Sequence, residues 1–230
     1  MPDFGSSLAP LVLDIETVPT LEAMAAPYPE ADRSPPSNYK SDEAVAKWRE
    51  ADRSAWQVAR AKECSLNPRL GRVVSVAYSQ GSWVDSIIAP TPTDERLLLT
   101  DFWTRVEESR GRVVTWNGSW DLRFLLIRSI VHGVRPTVQP SIVSSWFKRF
   151  TTFPHFDAKA VLTNWDAPRA GEGLTEWATL FGIDGKTTGT TGADVWPMVQ
   201  AERWEELRKY NEQDVIATAA VYAKIAPYFA

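Results

Sequence analysis

The hydrophobic positions of this chain fall into short blocks whose period changes along its length. Leu11-Val12-Leu13-Asp14-Ile15-Glu16 is an apolar run that closes on two acids, and Thr17-Val18-Pro19 ends it, which predicts a buried strand. Val73 to Tyr78 and Trp83 to Ile88 flank Ser79-Gln80-Gly81-Ser82 and predict a hairpin. Leu98, Phe102 and Val106 recur at helical spacing within Glu95 to Glu108, after which Gly111 stops the helix and Arg112 to Trp116 reads as another short strand. Asn117-Gly118-Ser119 then turns the chain into a helix from about Trp120 to Val131. Past a mixed stretch over 133–154, Pro154-His155-Phe156-Asp157 predicts a short strand leading into a helix at Ala158 to Leu162. Gly173 to Phe181 predicts a short helix, 184–193 a Gly/Thr-rich loop, and Glu202 to Ile225 a long final helix. This order is that of an α/β fold with a mixed sheet.

Between the first strand and the hairpin the character differs. Pro19, Pro27, Pro29, Pro35 and Pro36 mark an irregular loop, and Asp42 to Glu63 is Ala-rich, charged and helix-favouring. The segment at about 20–66 reads as an insertion or flap within one domain spanning 1–230, because 230 residues at 44% hydrophobic suit a single sizeable core. Trp48 and Trp56, eight apart on the insertion helix, share a face suited to docking, with a stacking platform as the alternative. The single cysteine, Cys64, excludes an intramolecular disulfide and a thiolate zinc site, and implies a reducing, cytoplasmic setting. No run approaches the ~18–20 apolar residues that span a bilayer, so no membrane association is expected. Net charge is 25 − 29 = −4, which argues against a broad, charge-driven nucleic-acid binder.

Three placements of carboxylates carry chemistry. Asp14 and Glu16, two apart on a strand, project to one face while Leu13 and Ile15 take the other. Two like charges there repel unless something positive sits between them, and a divalent cation with oxygen ligands meets that need; a solvated strand end is the plainer alternative. Leu207, Tyr210, Asp214, Ala217 and Val221 form one helical stripe, on which Asp214 alone is out of keeping with a core. Tyr210 lies one turn before Asp214 on the same face. Asp121 falls in the first turn of a helix, where an ionised acid is stabilised and phosphate attracted.

Together these residues carry a resemblance. Val12-Leu13-Asp14-Ile15-Glu16-Thr17, Trp116-Asn117-Gly118-Ser119-Trp120-Asp121 and Tyr210-Asn211-Glu212-Gln213-Asp214 resemble the three motifs of the DEDD superfamily of 3′-to-5′ exonucleases, whose fold is ribonuclease H-like. Tyr210 stands four before the last Asp, and Lys209 stands where the histidine subgroup carries its His, so the chain is similar to the tyrosine subgroup. Asn67 to Ala77, His155-Phe156-Asp157, and Leu174 to Ala178 with Phe181-Gly182-Ile183 are similar to stand-alone exonucleases related to family B polymerase proofreading domains. Trp120 departs from the Phe usual before the second-motif Asp, and the insertion at 20–66 has no counterpart whose role transfers.

The resemblance implies a mixed central sheet of about five strands flanked by helices. It implies that Asp14, Glu16, Asp121 and Asp214 hold two divalent cations, Mg²⁺ or Mn²⁺, with Tyr210 orienting the attacking water through its hydroxyl. The implied reaction releases nucleoside 5′-monophosphates from a 3′ end, with single-stranded DNA as the expected substrate and replication or repair proteins as candidate partners. RNA trimming of the ribonuclease D kind is the alternative, and a non-catalytic nucleic-acid-binding module a third reading. Thr17, Asn117 and Trp120 are expected substrate contacts, and Asp157 an acid behind the site or a helix cap. Lys186, Arg123, Lys148 and Arg149 are candidate contacts to a nucleic-acid backbone. Setting four acids aside for metal leaves 29 − 4 = 25 against 25 Lys+Arg, so the acidic balance no longer excludes a strand end anchored by cations.

Overall fold

The first strand, β1 (Leu11–Pro19), alternates between two cores: Leu11, Leu13 and Ile15 belong to one cluster and Val12 to the other. Strand residues two apart share a face, so Asp14 and Glu16 project on the side of Val12. The computed structural model describes residues 9–166, 171–183 and 189–229. The chain divides into two units, Met1–Glu16 with Val73–Ala230, and Thr17–Arg72.

The unit Thr17–Arg72 contains α1 (Leu21–Met24) and the long α2 (Asp42–Ser65), which Ser41 caps by accepting from the Ala44 amide at 3.2 Å. Its loop is clamped to α2 by a polar and aromatic cluster. Asp52 accepts from the Tyr28 hydroxyl and from Arg33 at 2.8 Å, and the Tyr28 ring meets Trp56 edge-on at 5.7 Å. That short-range packing explains how a proline-rich segment with few aliphatic residues is ordered at all.

In the other unit β2 (Gly71–Gln80) and β3 (Trp83–Ile88) pair antiparallel, and Gln80↔Trp83 leaves a two-residue turn whose Gly81 has φ +63°. The remaining elements follow in order: α3 (Asp94–Glu108), β4 (Val113–Thr115), α4 (Gly118–Val131), α5 (Pro140–Ser145), β5 (His155–Asp157), α6 (Ala158–Leu162), α7 (Leu174–Leu180), α8 (Val195–Gln200) and α9 (Trp204–Phe229). The sheet runs β3-β2-β1-β4-β5, with β1, β4 and β5 parallel. One face packs on α3 and α4 through Leu98, Phe102, Leu122 and Leu125, and the other on α6, α7 and α9 through Val161, Ala178, Val215 and Val221. This is the five-stranded mixed sheet flanked by helices of a ribonuclease H-like α/β fold.

Several elements depart from the sequence expectation: β1 runs on through Thr17-Val18-Pro19, and α1 forms within the expected irregular loop. α5 and α8, six residues each, lie where periodicity showed no helix. α9 continues past Ile225 through Pro227 to Phe229, because a missing N–H in the final turn removes only one bond of a long ladder. Residues 184–188 of the expected Gly/Thr-rich loop, including Lys186, lie outside the described residues. Among the described residues no helix is long and apolar enough to cross a membrane.

Candidate active site

The parallel register brings three chain turns to one end of the sheet. Val12 pairs with Val114 and Thr115 with Asp157, so Asp14, midway along β1, lies level with the carboxyl ends of β4 and β5, where the Asn117 turn and Asp157 stand. In open α/β sheets this is where ligands bind.

α9 supplies the opposing acid. Leu207, Tyr210, Asp214, Ala217 and Val221 are all buried on its sheet-facing side. Arg208 fastens this helix to β3, donating to the Ser86 carbonyl at 2.6 Å and hydroxyl at 2.8 Å, while that hydroxyl donates to Glu212 at 2.6 Å. Asp14, Glu16 and Asp214 each bring a carboxylate oxygen within 4.8 Å of the others. The Tyr210 hydroxyl hydrogen-bonds Asp214. Burial first, then the charges of Glu16, Asp214 and Asp14, push its phenol above the ordinary value, so it remains a proton-bearing donor.

Asp121 lies outside that trio but beside it. It is buried in the first turn of α4, and burial followed by the charges of Asp14 and Asp157 pushes its carboxyl well above the usual carboxylate range. Its Oδ2 is buried with no hydrogen-bond partner among the described residues. A buried anionic oxygen in that state is costly unless a cation shares it. All-oxygen, all-carboxylate donors suit a hard divalent cation, so these residues fit such an ion.

Sequence reasoning missed two buried polar residues, Asn211 and His155. Asn211, fully buried, donates its amide to Asp14 at 2.7 Å and accepts from the Ser75 hydroxyl at 2.6 Å. Ser75 interrupts an apolar strand run, and Asn211 lies one residue from Tyr210, beside that stripe; the polar residue within the strand run was the available signal. His155, also buried, links β4 to the end of α5. Burial lowers its pKa, so the neutral ring donates from Nδ1 to the Trp146 carbonyl at 2.9 Å and receives the Thr115 hydroxyl at Nε2, also at 2.9 Å. A Cβ at residue 118 would collide with that nitrogen and with the Thr115 hydroxyl, which is why glycine opens α4.

The remaining candidates fall in several places. Asp157 caps α6 by accepting from the Ala160 amide at 2.9 Å and also accepts from the Ser119 amide at 3.2 Å, so it joins α6 to the turn that carries Asp121. Asn117 stands at the N-cap of α4, and Trp120 packs partly buried with its ring 5.3 Å from Phe124. Thr17 opens the other unit, where its hydroxyl donates to the Ser65 carbonyl at 2.7 Å. Arg123, Lys148 and Arg149 are exposed.

Comparison with known proteins agrees with the geometry. An uncharacterized protein of Methanocaldococcus jannaschii is 24% identical over 152 residues, which cover 65% of this chain and 76% of that protein. The sequence profile of a family described as predicted 3′-5′ exonucleases related to the exonuclease domain of PolB matches residues 67–228. The match takes in Asp121, Tyr210 and Asp214 but not β1, so the convergence of Asp14 and Glu16 on Asp214 is an independent structural fact. The chain belongs to this family of predicted exonucleases related to the PolB exonuclease domain.

Proposed function

We propose that this chain is a 3′-to-5′ exonuclease of the tyrosine subgroup that removes nucleoside 5′-monophosphates from DNA 3′ ends, single-stranded by preference, using two divalent cations, Mg²⁺ or Mn²⁺. The observation that carries this reading is the meeting of Asp14, Glu16 and Asp214 within 4.8 Å. The buried carboxyl of Asp121 beside them, and the Tyr210 hydroxyl on Asp214, support it. Asp14, Glu16, Asp214 and Asp121 would hold the ions. When bound, these would supply activation of water and stabilisation of the charge that develops on the phosphoryl and leaving oxygens.

The chain's own groups do the rest. Tyr210, kept protonated, serves as a donor that orients water and not as a base. Asn211 holds the Asp14 carboxylate in its orientation through the 2.7 Å hydrogen bond. Asp157 and Gly118 place the helix start that carries Asp121. Thr17, Asn117 and Trp120 would contact the terminal nucleotide. The single-domain organisation, with the segment at 20–66 as an insertion, is part of the same reading, as is a role in replication or repair.

The test is digestion of matched single-stranded DNA and RNA oligonucleotides, labelled at either end, with Mg²⁺ or Mn²⁺. The expected outcome is stepwise shortening from the 3′ end, faster on DNA, with mononucleotide products. Asp14→Ala should lose activity by several orders of magnitude, and Tyr210→Phe should slow turnover by about 10²–10⁴-fold. Internal cuts alone, or an Asp14→Ala variant as active as the parent, would falsify the reading; RNA preference would overturn the substrate assignment.

A further inference from the structure

Away from the acids, the loop between α5 and β5 presents three exposed rings. Phe147, Phe150 and Phe153 are 41%, 66% and 70% exposed, at every third position, with Lys148 and Arg149 among them. Monomers seldom keep several large rings in water without a use for them. Phe150 does not hang free: its ring lies 5.3 Å from Trp165, which packs on the second core cluster, and the Arg149 guanidinium lies 5.1 Å over its face. Arg149 also donates to the Trp165 carbonyl at 2.5 Å. Phe150, Asn164 and Trp165 have φ of +60°, +53° and +57°. Left-handed backbone at bulky residues is held only where the surroundings impose it, and such residues cluster at functional sites.

Charge complementarity says what covers this surface. From Leu122 to Phe156 the chain has no acid and five Lys or Arg, in a molecule of net charge −4. Arg128 is spent on a buried ion pair, but Arg123, Arg135, Lys148 and Arg149 are exposed. Phe153 also walls a cavity of about 160 Å³ with Arg112 and Tyr222. Exposed rings interleaved with cations, one of them anchored from behind, are the composition that binds single-stranded nucleic acid, with bases on the rings and phosphates on the cations.

Resting on the exonuclease reading of the acidic site, we propose that the loop Phe147 to Phe153, seated on Trp165, is a second contact for the same single strand, stacking bases upstream of the 3′ end. The placement suits this. Pro154 leads into β5 and Asp157 closes it, so one three-residue strand, a rise of about 10 Å, separates the loop from the catalytic end of the sheet. A strand of a few nucleotides covers that span, whereas a dinucleotide held at the acids does not.

The experiment is fluorescence anisotropy of a labelled oligothymidylate of about 12 nucleotides, a length within the usual site size. EDTA is present, so that binding is read without cleavage. Phe150→Ser with Phe153→Ser should weaken binding about ten-fold or more. Lys148→Ser with Arg149→Ser should flatten the log–log salt dependence by about 0.7 for each phosphate no longer neutralised. With Mn²⁺ a dinucleotide should be cut at the parental rate by both variants, which also shows that each is folded. Unchanged affinity in both variants overturns the proposal, as does an equal fall in rate on long and dinucleotide substrates, or a parental dimer that the Phe variants dissolve. Tight binding through these residues without any trimming would instead sink the exonuclease reading and leave the platform standing.

Discussion

Asn211 ties the core to the chemistry through a single side chain. Its amide donates to Asp14 at 2.7 Å and its oxygen takes the Ser75 hydroxyl at 2.6 Å, so both ends are committed and the Asp14 rotamer is set from inside the protein. Groups that orient a metal-ligating residue are worth about 10–100-fold in activity or metal affinity. Asn211→Ala should therefore lower kcat by that factor and raise the Mn²⁺ concentration needed for half-maximal rate. Asn211→Asp, which keeps the shape but presents an acceptor to Asp14, should do no better. A merely structural Asn would lower stability and leave the Mn²⁺ requirement alone, so a metal titration of the folded variant separates the two. That Asp14 and Glu16 share a strand face, and Tyr210 and Asp214 a helix face, was legible from spacing; that the acids form one site was implied by the family resemblance alone. Asn211 was not, because the stripe through Tyr210 and Asp214 accounts for the helix without it, although Leu207, Asn211, Asp214 and Thr218 are all buried too.

At the scale of elements, α3 and α4 are joined by a charge cluster inside the core. Glu95 is fully buried in the first turn of α3; its carboxylate accepts from Arg128 at 2.9 and 2.7 Å, from the Val73 amide at 2.8 Å, and lies 2.8 Å from His132 Nε2. Removing one partner of a buried ion pair costs more than the pair contributes, because the other charge is stranded. Arg128→Leu should destabilise by about 3–5 kcal/mol in urea unfolding. Adding Glu95→Gln, whose oxygen can still serve the Val73 amide, should recover part of that loss; a double variant worse than the single one would refute the stranded-charge account. None of this was readable beforehand, since a buried Glu and a surface Glu look alike in a helix's first turn. Long periodic elements such as α3, α4 and most of α9 were legible. α5 and α8 were not, because six residues are under two turns, too few for a period to show. Pro197 reads as a breaker, but it occupies the first turn of α8, where its missing N–H has no helical partner to lose.

Taken as a whole, the molecule concentrates like charge at the edge of the sheet where β4 and β5 end. Asp14, Glu16 and Asp214 crowd within 4.8 Å, and Asp121 has its carboxyl pushed upward by burial and by Asp14 and Asp157. On the cation-binding reading, the fold holds this arrangement against mutual repulsion, and without cations the site should be a net cost to stability, carried by two cores. Two consequences run in opposite directions. In EDTA, Asp121→Asn removes a buried acid from beside two others and should melt above the parent. With Mn²⁺ at about 100 times its dissociation constant, the parent should gain roughly 2.7 kcal/mol for one site, or about 5–10 °C for a chain of this size. Asp14→Asn should gain far less, since it lacks a ligand at the centre of the cluster. Differential scanning calorimetry of the three proteins, each with EDTA and with Mn²⁺, reads both effects without any assay of activity. If instead the acids were solvated surface groups, the EDTA melting temperatures would agree within error and Mn²⁺ would move none of them, and a cation site in this cluster would have to be abandoned.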